Sequence, residues 1–534
     1  MNWASHAAPS TWQTLALSPI AVWGGGTFIA MVLFLFGAFV GLAPVFGSVL
    51  FGLLFFLAVL IKYVVSFAPT APYWARGMVL VAMGLFVLNM GFAGIAFPVG
   101  SLPLPLTDVV LAFALLMSLS KVLLDSKRTI RLPAGIVVLS LWVVFTLALH
   151  LPDDWQAFGT AAARDGVRVA ESLVIIPAYV IARMALQRPE QGMVWVRSVL
   201  WSLGLALGIY GLLIPFQDVM MRYSPGFMGL QKWVPVLGNY QTWPMAGLVG
   251  ILSMLAWRWA YARPLTAAQK LVCVLVALGG LTAFAMLQSR AGYVFVAAAL
   301  LVMSVLGGQG KLVRSALGLL LVCAMGLLVL EVSGVQLKGR VGTLSLSGVA
   351  DHLHSLTGES RNEEFAGAAG GISQRKAWRA YSLKLWDYSM SSRLLGIGYG
   401  RVLTDLTTTG EDGKEVAVQD PHNSYVTTLT RAGLIGFAVM MAVQLWICYV
   451  AVVGYRRNRH TDRRWAAFYL SLCMFQIYTL LDAWGEPHFE VTHYIVPTYF
   501  VYGVAWAIWQ WQQSAFDKDK LARRRAVYVA RRVA

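Results

Sequence analysis

Charged residues are scarce. They make up 13% of the 534-residue chain, while 58% is hydrophobic, and a soluble domain carries about a quarter charged. The shortage argues against an ordinary soluble fold, because the apolar residues also gather into long runs. A run of ~18 or more apolar residues crosses a ~30 Å hydrocarbon core as helix. Only helices and closed barrels satisfy their backbone there, and these runs are too long for barrel strands. Cysteine is nearly absent as well. Cys273, Cys323, Cys448 and Cys473 each fall inside an apolar run, and none pairs at metal-ligand spacing. They read as packing residues, with neither a disulfide framework nor a zinc site expected. No Lys or Arg precedes Lys62, so the positive start of a secretory signal peptide is missing and none is expected. No internal repeat is visible, whereas a transporter built from inverted repeats is expected to show matched broken helices in its two halves.

What is present is a series of apolar spans, placed at 23–41, 44–66, 78–97, 105–124, 133–151, 168–186, 198–216, 243–261, 270–288, 291–307, 314–333, 433–454, 465–484 and 494–512. The fold class is therefore an all-α polytopic membrane protein with about 14 transmembrane helices, in a range of 12–14. The net charge of +17 would suggest nucleic acid in a soluble protein. Here many basic residues lie in short loops, where they set topology, and no nucleic-acid partner is expected. Arg456, Arg457, Arg459, Arg463 and Arg464 share one side with the tail cations Arg523, Arg524, Arg525, Arg531 and Arg532. That side is assigned to the cytoplasm, with both termini in it. The chain then divides into N-terminal membrane helices (1–333), one large periplasmic loop (334–432), C-terminal membrane helices (433–512) and a basic cytoplasmic tail (513–534), for which lipid headgroups are the default partner. Within the loop, 334–371 reads as loose. Over 372–390, Trp378, Tyr381, Leu385 and Tyr388 fall on one helical face, which predicts an amphipathic helix near the membrane surface.

The sharpest segment closes that loop. Asp420-Pro421-His422-Asn423-Ser424-Tyr425 runs into Arg431-Ala432-Gly433-Leu434-Ile435-Gly436. A histidine at the mouth of a helical bundle titrates near neutral pH and can act as a base; the alternative is a plain helix start, which Pro421 and Asn423 suit. Leu287-Gln288-Ser289-Arg290-Ala291-Gly292 turns between two spans and places an arginine at the interface. Arg375-Lys376-Ala377-Trp378-Arg379 leads to Leu394-Leu395-Gly396-Ile397-Gly398-Tyr399-Gly400, whose glycines read better as a tight turn than as a phosphate loop, since no Gly-Lys-Ser/Thr follows. Further cations join them on the periplasmic side: Arg164, Arg168, Arg222, Lys232, Arg393, Arg401 and Arg431. Positive-inside bias disfavours cations there, so each is a candidate either for headgroup snorkelling or for binding a phosphorylated lipid. Asp153 and Asp154 read as a solvated loop. His352 and His354 lack other ligands around them, and no metal is expected. Asp482, Glu486, His488, Glu490 and His493 gather at the last periplasmic turn, as a wall for an acceptor or an alternative base.

The ordered set Ser289-Arg290-x-Gly292, Arg375-x-x-Trp378, Leu395-Gly396-x-Gly398, Pro421-His422-Asn423-Ser424-Tyr425 and Gly433-Leu434-Ile435-Gly436 resembles the O-antigen ligase and polymerase superfamily over roughly 285–440. Gly238-Asn239-Tyr240-Gln241 resembles a further family segment. The resemblance implies a GT-C-like bacterial inner-membrane enzyme with its active site at the periplasmic face. It implies a glycan carried on undecaprenyl diphosphate as donor, a sugar or lipid-linked glycan as acceptor, membrane lipids and other polysaccharide assembly and export proteins as partners, and neither cofactor nor metal. By residue it implies His422 as base or acceptor-positioning group, Arg290, Arg222 and Arg375 as diphosphate ligands, and Arg379, Asn423, Arg164 and Arg168 in support. A polymerase of O-antigen or exopolysaccharide repeats is the first expectation. A ligase that joins the glycan to lipid A–core, and a flippase for lipid-linked oligosaccharide, are the alternatives.

Overall fold

The computed structural model describes residues 96–99, 102–124, 130–186, 267–288, 290–307, 310–334, 339, 342–354, 366–405, 407–409, 415–417 and 419–533. The expected spans at 23–41, 44–66, 198–216 and 243–261 lie outside these residues, as do Arg222, Lys232 and the segment around Asn239; of the span at 78–97, only the last two residues are described.

Helices dominate. In chain order they are α1 (Leu106–Leu124), α2 (Ala134–Phe158), α3 (Thr160–Ala170), α4 (Ile175–Ala185), α5 (Ala267–Leu287), α6 (Arg290–Gly307), α7 (Gly310–Val332), α8 (Leu346–His354), α9 (Ala366–Trp386), α10 (Met390–Leu395), α11 (Ser424–Asn458), α12 (Arg463–Gly485) and α13 (Thr492–Val533). Three of these, α2, α11 and α12, are long and apolar enough to cross a membrane by length and composition. Two short antiparallel hairpins depart from the all-α expectation: β1 (Ala96–Val99) with β2 (Leu102–Pro105), and β3 (Thr407–Thr409) with β4 (Glu415–Ala417). The first occupies the end of the span expected at 78–97. Its prolines at 98, 103 and 105 suit a two-stranded edge, where a missing N–H is tolerated.

Capping residues set several helix starts. Asn423 accepts from the Val426 N–H at the start of α11, and Asp462 from the Arg464 N–H at the start of α12. Ser389 and Ser392 form a reciprocal capping box on α10. Such caps are worth about 1 kcal/mol each. The segment 346–354, expected to be loose, is the helix α8. Ser345 Oγ accepts from the Gly348 N–H, and the Glu331 carboxylate takes the Leu346 N–H and the Ser347 hydroxyl. The segment 152–167, between the spans expected at 133–151 and 168–186, is helical too. α2 runs through Pro152 and stops at Gly159, whose φ of +56° ends it, and α3 follows at once.

The core lies where α13 packs along α4 and where α12 packs on α11 and α6. Between α11, α12 and α13 sits a buried polar triplet. The Gln476 side-chain amide donates to Gln444 Oε1 at 2.8 Å, and the Tyr502 hydroxyl donates to the same oxygen at 2.6 Å. Side-chain hydrogen bonds of this kind hold membrane helices together where no hydrophobic drive acts between them.

Candidate active site

The functional geometry begins with the segment 420–425. Its polar side chains do two different jobs. Asn423 caps α11 and also donates from Nδ2 to the Trp484 carbonyl at 2.9 Å. Ser424 Oγ donates to the Glu486 carbonyl at 3.1 Å and accepts from the Phe489 N–H at 3.0 Å. The Tyr425 hydroxyl donates to the Leu480 carbonyl at 2.8 Å. Three consecutive residues thus pin the start of α11 to the end of α12 and the turn that follows.

His422 is left for something else. Its backbone has φ +48°, in the left-handed region that costs a non-glycine residue roughly 1–3 kcal/mol. The hydrogen bonds on either side, about 1 kcal/mol each, offset that strain. Its side chain is 30% exposed. The ring leans on Trp378 of α9, with centroids 5.7 Å apart and a 33° interplanar angle. Its Nδ1 lies 3.4 Å from Glu486 Oε2, and among the described residues Nε2 has no hydrogen-bond partner.

Helix α9 brings the arginines. It spans Ala366–Trp386, starting before the expected 372. Its buried face is carried by Trp378 and Ser382, and Tyr388 falls in the turn beyond it, exposed. Ser382 Oγ donates to the Leu403 carbonyl at 2.7 Å and the Thr430 hydroxyl to the Ser382 carbonyl at 3.3 Å, so α9 is docked on α11. From this helix Arg375 donates to the Gly485 carbonyl at 2.9 Å, and its second nitrogen stands 3.5 Å from Glu486 Oε1. Arg379 donates to the Trp484 carbonyl at 3.0 Å and lies over the Trp484 ring at 5.3 Å. Two guanidinium groups therefore cap the carbonyl end of α12, where the helix dipole favours cations. Burial, and then Arg375, pull Arg379 below its ordinary pKa. A partly exposed pair such as Arg375–Glu486 adds at most about 1 kcal/mol to stability. Its main consequence is to fix a carboxylate and a cation beside His422.

A second charged cluster lies behind this one. Arg431, 7% exposed, contacts Asp165 at 3.0 Å and Asp420 at 3.3 Å. Asp165 also receives Arg164 at 3.1 Å and Arg168 at 3.8 Å, and Arg164 bonds Gln419. The Leu395–Gly400 turn docks onto it. Gly396 (φ +87°) and Gly433 (φ +67°) face each other, and a Cβ on Gly433 would sit 2.3 Å from the Leu394 carbonyl oxygen. Only glycine permits that conformation and that approach. The amides of this turn are already taken: Gly398 N–H by the Arg431 carbonyl, Tyr399 N–H by Asp154 at 2.6 Å and Gly400 N–H by Asp165 at 3.1 Å. Carboxylates occupy the positions a phosphate would take, which supports the tight-turn reading. The same contact corrects the expectation for Asp154. It is buried, not solvated, because the extra turns of α2 carry it under the loop. The Tyr399 phenol is pushed up to about 12 by burial and hydrogen-bonds Thr146 at 3.1 Å, so it stays protonated as an anchor.

Glu490 completes this cluster. Its carboxylate oxygens are buried and have no hydrogen-bond partner among the described residues. Burial, and then the neighbouring Asp420 carboxylate, raise its pKa well above the ordinary 4.5, while Arg431 opposes them. A carboxyl whose folded pKa is raised favours the fold fully below the unfolded value, and that contribution is lost as pH rises toward and through the folded value. Glu490→Gln is accordingly expected to match the wild type in thermal midpoint near pH 4.5 and to exceed it by a margin that widens toward pH 8. A midpoint difference constant across that range would show that Glu490 is not the titrating group.

The sequence candidates thus fall into groups. His422, Asn423, Arg375 and Arg379 converge on residues 484–486. Arg164 and Arg168 join the Arg431 cluster, on the far side of Asp420. Arg290 opens α6, and its side chain lies outside the described residues, as does all of Arg222. Of the acidic group at the last turn, Glu486 faces His422, while the buried His488 pairs with Asp482 at 2.8 Å and with Thr498 at 3.0 Å. The roles of Glu486 and Asp165 had little signal in sequence, since each depends on a partner more than 60 residues away. Among the described residues no group of His, Cys, Asp and Glu is placed to hold a metal ion.

Residues 274–441 match the family model for O-antigen ligase. The match confirms the resemblance carried by the motifs over 285–440, and it contains Arg290, Arg375, Arg379, His422 and Asn423. The match supports a polysaccharide ligase or polymerase role, and the length and apolar composition of α2, α11 and α12 suit a membrane protein. No curated protein matches the chain.

Proposed function

We propose that the chain is a bacterial inner-membrane glycosyltransferase that moves a glycan from undecaprenyl diphosphate to a sugar hydroxyl at the periplasmic face, acting as a polymerase of O-antigen or exopolysaccharide repeats. The observation that carries this reading is His422. It is held in a strained conformation beside Arg375 and Arg379, with one ring nitrogen open among the described residues, within the O-antigen ligase match.

The chemistry is a single displacement. The anomeric carbon already bears a diphosphate leaving group, so the protein must remove the acceptor's proton, hold the acceptor in line and stabilise charge on the departing diphosphate. His422 takes the proton. Arg290, Arg222 and Arg375 bind the diphosphate, with Arg379 adding positive potential and Asn423 fixing the loop that carries His422. Arg164 and Arg168 act at one remove, by holding Asp165 and through it the Arg431 cluster. No step calls for a metal.

Purified full-length protein supplied with an undecaprenyl-diphosphate-linked oligosaccharide is expected to release undecaprenyl diphosphate, equally well in EDTA, and to build ladders of repeats without lipid A–core. Transfer that requires lipid A–core would assign a ligase. Movement of lipid-linked units across vesicles with no transfer would assign a flippase and overturn the proposal.

A further inference from the structure

We infer that Glu486 is the positioning residue of His422, holding the proton of the imidazole on Nδ1 so that Nε2 is free to take one from the acceptor. This rests on the transfer reading above. Glu486 follows the last residue of α12, and its main chain is fixed on both sides of the site: its carbonyl accepts from Ser424, and its N–H donates to the Asp482 carbonyl at 2.8 Å. One carboxylate oxygen stands 3.5 Å from Arg375, and the other stands 3.4 Å from His422 Nδ1. Arg375 is itself anchored on the Gly485 carbonyl. The carboxylate is therefore held between a fixed cation and the ring, and Trp378 limits the ring's rotation on its other side.

An ionised carboxylate only accepts, so the nitrogen facing it is the one that carries hydrogen. In the transfer step the acceptor oxygen bonds to the anomeric carbon, the bond from that carbon to the diphosphate breaks with its electron pair, and the hydroxyl proton passes to Nε2. The imidazolium so formed is stabilised by Glu486. The 3.4 Å separation is long for a hydrogen bond, as catalytic contacts commonly are before substrate tightens them. The charged groups around the ring, among the described residues, are Glu486 from the turn, Arg375 and Arg379 from α9, and Asp420 on its own loop, which faces Arg431.

The test uses the full chain in nanodiscs with an undecaprenyl-diphosphate-linked oligosaccharide. Glu486→Gln keeps the shape and removes the charge. It is expected to lower kcat about 10- to 100-fold. The acid limb of the kcat profile is expected to move to lower pH, because a ring without its carboxylate releases its proton more readily. Glu486→Asp retains the charge but draws it back by one methylene. It is expected to lower kcat by about tenfold with a smaller movement of the acid limb, and it carries the test if the glutamine variant does not fold. The double variant His422→Ala with Glu486→Gln is expected to lose no more than His422→Ala alone. Wild-type kcat and an unmoved acid limb in the folded Glu486 variants, or losses that multiply in the double variant, would overturn the inference and leave the transfer reading standing. Full turnover by His422→Ala would overturn both.

Discussion

His422→Asn is expected to lower release of undecaprenyl diphosphate about 10²–10⁴-fold, the range that a positioned general base supplies, in a protein that still folds. Asparagine is the better probe than alanine. The backbone at 422 has φ +48°, and Asn, like His, adopts that region more readily than other residues with a side chain. The side chain of His422 is partly exposed, and its contact with Glu486 is long, so stability has little to lose. His422→Ala is expected to show the same kinetic loss with a slightly lower thermal midpoint. The clamp made by Asn423, Ser424 and Tyr425 is untouched in both. A turnover within a few-fold of wild type in the folded Asn variant would remove His422 as the base. KM for the donor is expected to hold, because the diphosphate ligands proposed above are arginines.

The motifs that point to this histidine were legible because each is local. Pro421 to Tyr425 can be read as a helix start from the residue types alone, and the Asn423 cap confirms that reading. The helix at 366–386 was legible from the spacing of Trp378, Tyr381 and Leu385. The part of it that failed was Tyr388, since periodicity does not show where a helix ends when the same spacing continues into the next turn. Segments 152–167 and 346–354 were hidden for the opposite reason. Pro152 and the small residues around 346 weaken the local helix signal, and the bonds that rescue them come from elsewhere, Tyr399 to Asp154 in one case and Leu346 and Ser347 to Glu331 in the other. The glycines of 396–400 were legible as a turn. Their partner was not, because it is a break in α11 more than 30 residues on. The acidic residues are the general case: Glu486 and Glu490 acquire meaning from cations on other helices, and Asp165 from Arg431 as well as from its own-helix neighbours Arg164 and Arg168.

Arg431→Met is expected to destabilise the protein by about 3–5 kcal/mol, the cost of removing one partner from a buried ion pair, and to lower turnover with it. Methionine keeps much of the volume, so the loss reads out charge. Arg431 and Asp165 are each 7% exposed and Asp420 17%. Asp165 would retain the Gly400 N–H and its contacts with Arg164 and Arg168, which places the effect toward the lower end of the range. Asp420 would lose its cation, and the buried Glu490 carboxyl would lose the one group identified as opposing its upward shift most strongly. The sign of the rescue follows from this. Adding Asp420→Asn to Arg431→Met is expected to restore part of the thermal midpoint, since removing both charges is far milder than stranding one. A double variant no more stable than Arg431→Met would assign the loss instead to the hydrogen bonds from Arg431 to the Gly398 and Arg401 carbonyls. Because Asp420 lies two residues before His422, the Arg431 cluster holds the loop that carries His422 on one side, just as the 484–486 segment holds it on the other. Restored stability in the double variant should therefore bring turnover back with it, which separates a support role for Arg431 from a direct part in the chemistry.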